Sequence, residues 1–172
     1  MKVLSLFDGI SCGMVALERV GINVERYVAY EIEENAIKVS KDNYPEIEQK
    51  GDVFKATYTE GEFDILIGGS PCTYWSIAKA GDGRETTSSG FGWELFMQYV
   101  RALKEVKPKY FLYENNESMS DGIKNEITKQ YFDFIKVNAY TNYYEIYFTG
   151  EIFTAEFENY LNMVIKLLIL SL

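Results

Sequence analysis

Two short stretches carry the residues best suited to covalent chemistry. In Gly68-Gly69-Ser70-Pro71-Cys72 a cysteine follows two glycines and a proline, with Ser76 shortly after it. The thiolate sulfur is the nucleophilic form of cysteine, and backbone N–H groups at a strand end favour it. A free cysteine is more commonly a buried, inert small hydrophobe; the glycines and the proline that shape the backbone just ahead of Cys72 favour the reactive reading. The second stretch, Leu112-Tyr113-Glu114-Asn115-Asn116, puts a carboxyl and an amide at another strand end. A carboxyl beside a thiol can hold or protonate a heteroaromatic nitrogen while the sulfur attacks an adjacent carbon. The alternative is a strand-end glutamate capping a helix that begins near Ser120. The chain contains no histidine, which removes Ser–His and Cys–His catalysis. Its two cysteines, Cys12 and Cys72, form no Cys-x-x-Cys pair, so no metal site is expected.

Three further features have the character of a small-molecule site. Phe7-Asp8-Gly9-Ile10-Ser11-Cys12-Gly13 is a glycine-bearing turn between an apolar run and a helical pattern. Such a turn lets a ligand approach the backbone, and the helix N-terminus adds partial positive charge. It is not GxGxxG, which disfavours a pyrophosphate dinucleotide; a tight turn without a ligand is the plain alternative. Glu31 ends the next apolar run, about 20 residues after the glycine turn, the position at which a carboxylate commonly binds a ribose diol. Beside Glu33 and Glu34 it is otherwise a solvated glutamate. Asp52, after Gly51, is placed to accept a hydrogen bond from an amino group, or is simply a turn aspartate.

These residues need a scaffold, and the chain supplies a repeating one. The runs 3–7, 24–30, 63–67 and 110–113 read as buried strands. Helical patterns at 12–20, 33–43 and 93–106 alternate with them, the first stopped by Gly21 in the C′ position. Glycines or carboxylates sit at the strand ends. The expected fold class is therefore α/β, a doubly wound Rossmann-like sheet with its site at the carboxyl edge. The stretch 79–92, rich in Gly, Ser and Thr, is expected to be a mobile loop. After Gln130 the pattern weakens: Phe132–Val137 and Glu145–Phe148 read as two antiparallel strands, and Glu151–Leu170 as one amphipathic helix. We expect one domain over 1–172, with 131–172 as a divergent C-terminal part.

Composition bounds the rest. The 172 residues are 47% hydrophobic and 25% charged, enough for one sizeable core. The net charge of −9 argues against a self-sufficient nucleic-acid binder, because phosphate contacts need Lys and Arg. No secretory leader or membrane span is visible, and two cysteines in separate glycine-rich loops fit a cytoplasmic, reducing setting.

Taken in order over roughly residues 1–130, these motifs resemble the C5-cytosine DNA methyltransferases, in particular the phage and bacterial ones and the de novo enzymes. The resemblance implies S-adenosyl-L-methionine as cofactor. Its methionine end would be held by Phe7, Asp8, Gly9, Ile10 and Gly13 and backed by Leu95. Its ribose would lie on Glu31, beside Ile32, and its adenine on Asp52 and Val53. Cys72 would attack C6 of a cytosine flipped out of DNA. Glu114 would engage N3 and the exocyclic amine, Asn115 would brace the cysteine loop, and Ser70, Pro71 and Ser76 would line the substrate side.

The chain departs from the family in two respects. Tyr143 and Glu145 stand where the family's Gln-x-Arg-x-Arg segment has arginines, and no room is left for a target-recognition domain. The sequence thus reads as a C-terminally truncated, frameshifted or replaced member. Its expected activity is DNA (cytosine-5-) methylation, with DNA as a weak or partner-dependent ligand and a homodimer or partner chain as completion. The alternatives are a non-catalytic remnant that binds S-adenosylmethionine and a tRNA cytosine-5 methyltransferase.

Overall fold

The computed structural model describes residues 1–78, 83–116, 118–138, 146–148 and 151–153. Its elements run β1 (Lys2–Leu6), α1 (Cys12–Arg19), β2 (Arg26–Tyr30), α2 (Glu34–Asn43), β3 (Glu48–Gln49), β4 (Ile65–Gly68), α3 (Phe91–Val106), β5 (Tyr110–Asn115), α4 (Asp121–Asn138), β6 (Ile146–Phe148) and β7 (Glu151–Phe153). The strands form one sheet in the order β3-β2-β1-β4-β5-β6-β7. All neighbours pair in parallel except β6 and β7, which are antiparallel. The order reverses between β1 and β4, so the carboxyl ends of these two strands flank the crevice where such sheets take their ligands.

The sheet is buried on both faces, which is why its central strands read as continuous apolar runs. Side chains alternate between the faces with period two. Val3, Tyr27, Ala29, Ile65 and Ile67 pack on one side with Met14 and Leu17 of α1. Leu4, Leu6, Val28, Leu66, Phe111 and Tyr113 pack on the other with Phe96, Tyr99 and Leu103 of α3 and Ile123, Ile127 and Tyr131 of α4. The hydroxyl of Tyr99 lies 2.8 Å from the Leu112 carbonyl oxygen and 3.3 Å from that of Leu66, pinning α3 across β4 and β5. Helix α1 ends as its sequence predicts. Gly21 is left-handed (φ 76°), its N–H donates to Glu18 O (2.9 Å), and Ile22 N–H donates to Leu17 O (3.0 Å). That pair of bonds is a Schellman closure.

Two expectations are corrected. Phe132–Val137 is not a strand: it continues α4, which runs to Asn138. Ile123, Ile127 and Tyr131 recur every four residues and bury one face of this helix. The segment from Glu151 begins as a strand rather than a helix, and it is β7, not 132–137, that pairs antiparallel with 146–148. The rest of the expected helix, and Tyr143 and Glu145, lie outside the described residues. Among the described residues no helix is long and apolar enough to cross a membrane.

Close approach governs the end of β4. Leu6 and Gly68 are in register, and a Cβ on Gly68 would press into the Leu6 carbonyl. With backbone on one side and the core on the other, neither strand can move aside. Gly68→Ala is expected to lower stability by about 1–3 kcal/mol, the usual cost of overpacking, read as a reduced urea midpoint with an unchanged slope.

Candidate active site

The turn after β1 is held in an unusual backbone shape. Phe7 (φ 57°), Gly9 (φ 59°) and Ser11 (φ 66°) are all left-handed. For Phe and Ser that conformation is disfavoured and persists only where surrounding bonds enforce it. They are present here. Tyr27 Oη donates to Asp8 Oδ1 (2.7 Å) and Ser11 Oγ to Asp8 Oδ2 (2.5 Å), while Ser11 Oγ also meets Ser40 Oγ of α2 (2.6 Å). Burial, then the Asp8 charge, pushes the Tyr27 phenol well above its ordinary range, which keeps it a proton donor. The Asp8 carboxylate is thus turned back into the protein, and its role is to shape the turn. What faces outward is the backbone of Gly9, where an added Cβ would meet nothing within 4 Å, and the exposed side chain of Ile10.

Glu31 closes this corner. Its Oε2 accepts from Gly9 N–H (2.8 Å), and its Oε1 accepts from Ile32 N–H (2.8 Å) and Glu33 N–H (2.9 Å). Ionised carboxylates accept about four hydrogen bonds, so one more acceptor direction is left for a ligand hydroxyl. Ile32 is 72% exposed beside it. The third strand end contributes a turn of 3₁₀ helix, Val53–Lys55, whose first N–H groups are capped by Asp52: Oδ1 accepts from Phe54 N–H (2.9 Å). Arg101 of α3 donates to Val53 O (2.9 Å) and Ala56 O (3.0 Å), tying that turn to the helix. Val53 and Leu95 are buried. Gly13 has no room for a side chain against Ile67 and the Tyr27 hydroxyl.

The cysteine turn lies across the sheet edge. Cys72 opens a second 3₁₀ turn, Cys72–Tyr74, and its carbonyl accepts from Trp75 N–H and Ser76 N–H, both at 2.9 Å. Trp75 is fully buried and anchors the turn, Pro71 is exposed, and Cys72 is half-buried and unpaired. The turn is stitched to the end of β5. Asn115 Nδ2 donates to Ser70 O (2.8 Å) and lies 2.9 Å from Tyr113 Oη, which in turn meets Ser70 Oγ (2.7 Å). Asn116 Nδ2 reaches Ser76 Oγ at 3.5 Å, the limit of a hydrogen bond. Gly69 passes directly over Glu114, and a Cβ there would come within 3.1 Å of Oε2 and 2.5 Å of the Glu114 carbonyl.

Glu114 itself is open to solvent by area, yet protein crowds enough of its surroundings to strip away hydration, and this lifts its carboxyl above the usual range. The cysteine turn thus follows the end of β4 and the Glu114 carboxyl lies at the end of the adjacent strand β5, with Gly69 packed against Glu114. Among the described residues no group of three His, Cys, Asp or Glu is arranged to hold a metal ion. Sequence reasoning missed Tyr27, Tyr113 and Arg101, whose partners lie 19 to 48 residues away in the chain. It also missed Arg84 and Glu85, the charged pair in the Gly/Ser/Thr-rich stretch 79–92; the described part of that stretch, 83–92, is tethered at both residues.

Comparison with known proteins gives a consistent picture. Residues 1–150 match the family model described as C-5 cytosine-specific DNA methylase, a match that runs past residue 130. The chain is 40% identical over 118 residues to the orphan methyltransferase M.SPRI of Bacillus phage SPR, covering 67% of this chain and 26% of that protein. It is 40% identical over 118 residues to M.Rho11sI of Bacillus phage rho11s (67% and 23%), and 34% identical over 122 residues to the type II methyltransferase M.NgoPII of Neisseria gonorrhoeae (69% and 34%). The chain thus spans between about a quarter and a third of the length of these relatives. Among solved structures it superposes on a prophage-encoded chain of E. coli described as a DNA modification methyltransferase. There the TM-score is 0.59 and the identity 23%, over 80% of this chain and 38% of that one. It also superposes on the Dnmt2 methyltransferase of S. pombe, with TM-score 0.57 and 16% identity, over 80% and 39%. At these identities the two structures speak for the fold.

The Glu114 environment has a measurable consequence. Below the ordinary glutamate pKa of about 4.3, folded and unfolded chains both hold the proton, and the group costs the fold nothing. As pH rises through the raised folded-state value, the folded chain alone carries a poorly hydrated charge, so the stability that neutral Glu114 allows is lost. Glu114→Gln is expected to be at least as stable as the parent at neutral pH, with the difference closing as pH falls towards 4. Urea titrations at the two pH values check it; a glutamine variant clearly weaker at neutral pH would overturn the assignment.

Proposed function

Since the chain belongs to the C-5 cytosine-specific DNA methylase family, we propose that it transfers a methyl group from S-adenosylmethionine to C5 of cytosine in DNA, with Cys72 as the covalent nucleophile. The observation that carries this reading is the close packing of Gly69, three residues before Cys72, against Glu114, with the Asn115–Ser70 bond joining the two segments.

The residues present suit the cofactor. Gly9 offers open backbone, Glu31 retains acceptor capacity for a diol, and the Asp52–Val53 turn lies at the neighbouring strand end. Ile10 and Ile32 provide exposed apolar surface at the same rim. In this reading Phe7, Gly9, Ile10 and Gly13 hold the methionine end and Leu95 backs it; Asp8 acts by shaping the turn. Glu31 and Ile32 take the ribose, and Asp52 and Val53 the adenine. When bound, S-adenosylmethionine supplies a methyl group on a positively charged sulfur.

The work of this chain is on the base. Cytosine carbons are unreachable in the stack, so the base enters the site flipped out of the duplex. The Cys72 sulfur forms a bond to C6. Glu114, whose carboxyl is biased towards its protonated form by lost hydration, engages N3 and the exocyclic amine and draws the displaced electron pair towards N3. Charge then accumulates at C5, the carbon that accepts the methyl group. Solvent water takes the C5 proton, its electron pair re-forms the C5–C6 double bond, and the Cys72 sulfur leaves as thiolate, restoring the aromatic ring. Asn115, through Ser70, keeps the cysteine turn from drifting, and Ser70, Pro71 and Ser76 form its substrate side.

The net charge of −9 is poorly matched to a polyanion. It supports a reading in which phosphate contacts are supplied by a partner chain. Transfer of a labelled methyl group to DNA is the direct test. The parent, alone or with a DNA-reading partner, is expected to label DNA. Cys72→Ser is expected to lose all transfer while retaining thermal stabilisation by S-adenosylmethionine. Stabilisation without transfer under any DNA condition would favour a cofactor-binding protein; label appearing in tRNA and not DNA would redirect the substrate.

A further inference from the structure

Asn115 fixes the cysteine turn through Ser70, two residues before Cys72. A second set of bonds, unrelated to that one, fixes it from the other side. Arg84 Nε donates to Trp75 O (3.0 Å), three residues after Cys72, and Arg84 Nη2 donates to Ser118 O (2.6 Å), in the turn that follows Glu114 and Asn115. Glu85 N–H donates to Tyr74 O (2.8 Å). The Glu85 carboxylate accepts from Trp75 Nε1 (3.2 Å) and from Gly92 N–H in the first turn of α3 (3.1 Å). That position suits a negative charge, because the helix N-terminus is its positive end. Gly90 and Gly92 make the room: a Cβ on either would come within 2.5 to 2.7 Å of that carboxylate. Two more bonds join the same segments, Ser120 Oγ to Thr86 O (2.6 Å) and Ile77 N–H to Ser118 Oγ (3.3 Å).

A guanidinium suits this place. Its donors are fixed in a plane and aim at two carbonyls in different directions at once, whereas a lysine ammonium is a single point on a flexible stem. One side chain therefore spans the turn that carries the sulfur and the turn that follows the acid.

We infer that Arg84, seconded by Glu85, is a positioning residue that sets Cys72 relative to Glu114. The bonds from Arg84 run to backbone carbonyls on either side of the site, Trp75 O and Ser118 O. Its effect is to shorten the free span of backbone around Cys72 to the few residues between Ser70 and Trp75. Misplacing a reacting group by about 1 Å costs on the order of 100-fold in rate. The inference rests on the assignment of Cys72 as nucleophile, and the test keeps the two apart.

In a Cys12→Ser background Cys72 is the only thiol, and in a Cys72→Ser background Cys12 is. Iodoacetamide alkylation of each is compared for the full chain with Arg84, Arg84→Lys and Arg84→Gln. Releasing the turn is expected to speed alkylation of Cys72 by about threefold or more in the glutamine variant, as local opening becomes easier. Lysine is expected to fall between, and Cys12 to be unchanged. Where methyl transfer is measured, kcat falls and the KM for S-adenosylmethionine is retained. An unchanged Cys72 rate, or an equal rise at Cys12, overturns the positioning role. If circular dichroism shows the glutamine variant unfolded, the lysine variant carries the same comparison. Methyl transfer that survives Cys72→Ser would remove the nucleophile assignment and leave the alkylation result standing.

Discussion

The bond from the Asn115 amide to the Ser70 carbonyl is the constraint on which the site depends. It joins the segments that follow β4 and end β5, and it does so where no ladder bond is possible, because β4 has ended and its chain is turning away. The three polar groups around it, the Ser70 hydroxyl, the Tyr113 phenol and the Asn115 amide, are buried and bond to one another. Burial drives the Tyr113 phenol far above its ordinary range, so it stays neutral and available to the network. A closed cluster of this kind is rigid because each member would be left unsatisfied if another moved. Breaking it costs more than one bond.

The rest of the molecule serves that geometry at a distance. Helix α3 supplies Phe96 and Tyr99, which pack edge to face on Tyr113 at 5.3 and 5.0 Å, and α4 supplies Tyr131 at 6.0 Å. The phenol beneath the cysteine turn is therefore seated in an aromatic wall as well as hydrogen-bonded above. The corner around Gly9 follows a different logic. There the backbone is strained at Phe7 and Ser11 and held by Asp8, Tyr27 and Ser40, so that Gly9 is presented outward without a side chain over it. One corner is stabilised by packing and the other by a polar scaffold.

Much of this was legible in the residues. Buried parallel strands announce themselves as unbroken apolar runs, and Asp8, Glu31, Cys72 and Glu114 fall at or just past their ends, where a doubly wound sheet puts its chemistry. What could not be read was long-range. Tyr113 meets Ser70 across 43 positions and Arg84 meets Ser118 across 34, and no local pattern encodes either contact. Gly, Ser and Thr content suggested a mobile loop at 79–92, but within its described part Gly90 and Gly92 are small where the Glu85 carboxylate packs against them. The error at Phe132–Val137 came from weighing aromatic and branched residues as strand formers; the four-residue recurrence of Ile123, Ile127 and Tyr131 was the better guide, because burial of a helix face outweighs local propensity.

Trp75 gives the protein an optical property of its own. It is one of two tryptophans, it lies three residues after Cys72 with no exposed surface, and its indole nitrogen is bonded to Glu85. Indole emission shifts with the polarity and hydrogen bonding around the ring. The turn bearing the sulfur thus carries an intrinsic fluorophore, with half-buried Trp93 on α3 as its companion. Replacing Trp93 by phenylalanine would leave a single indole, and its emission on selective excitation reads the seating of that turn, in solution and without a label.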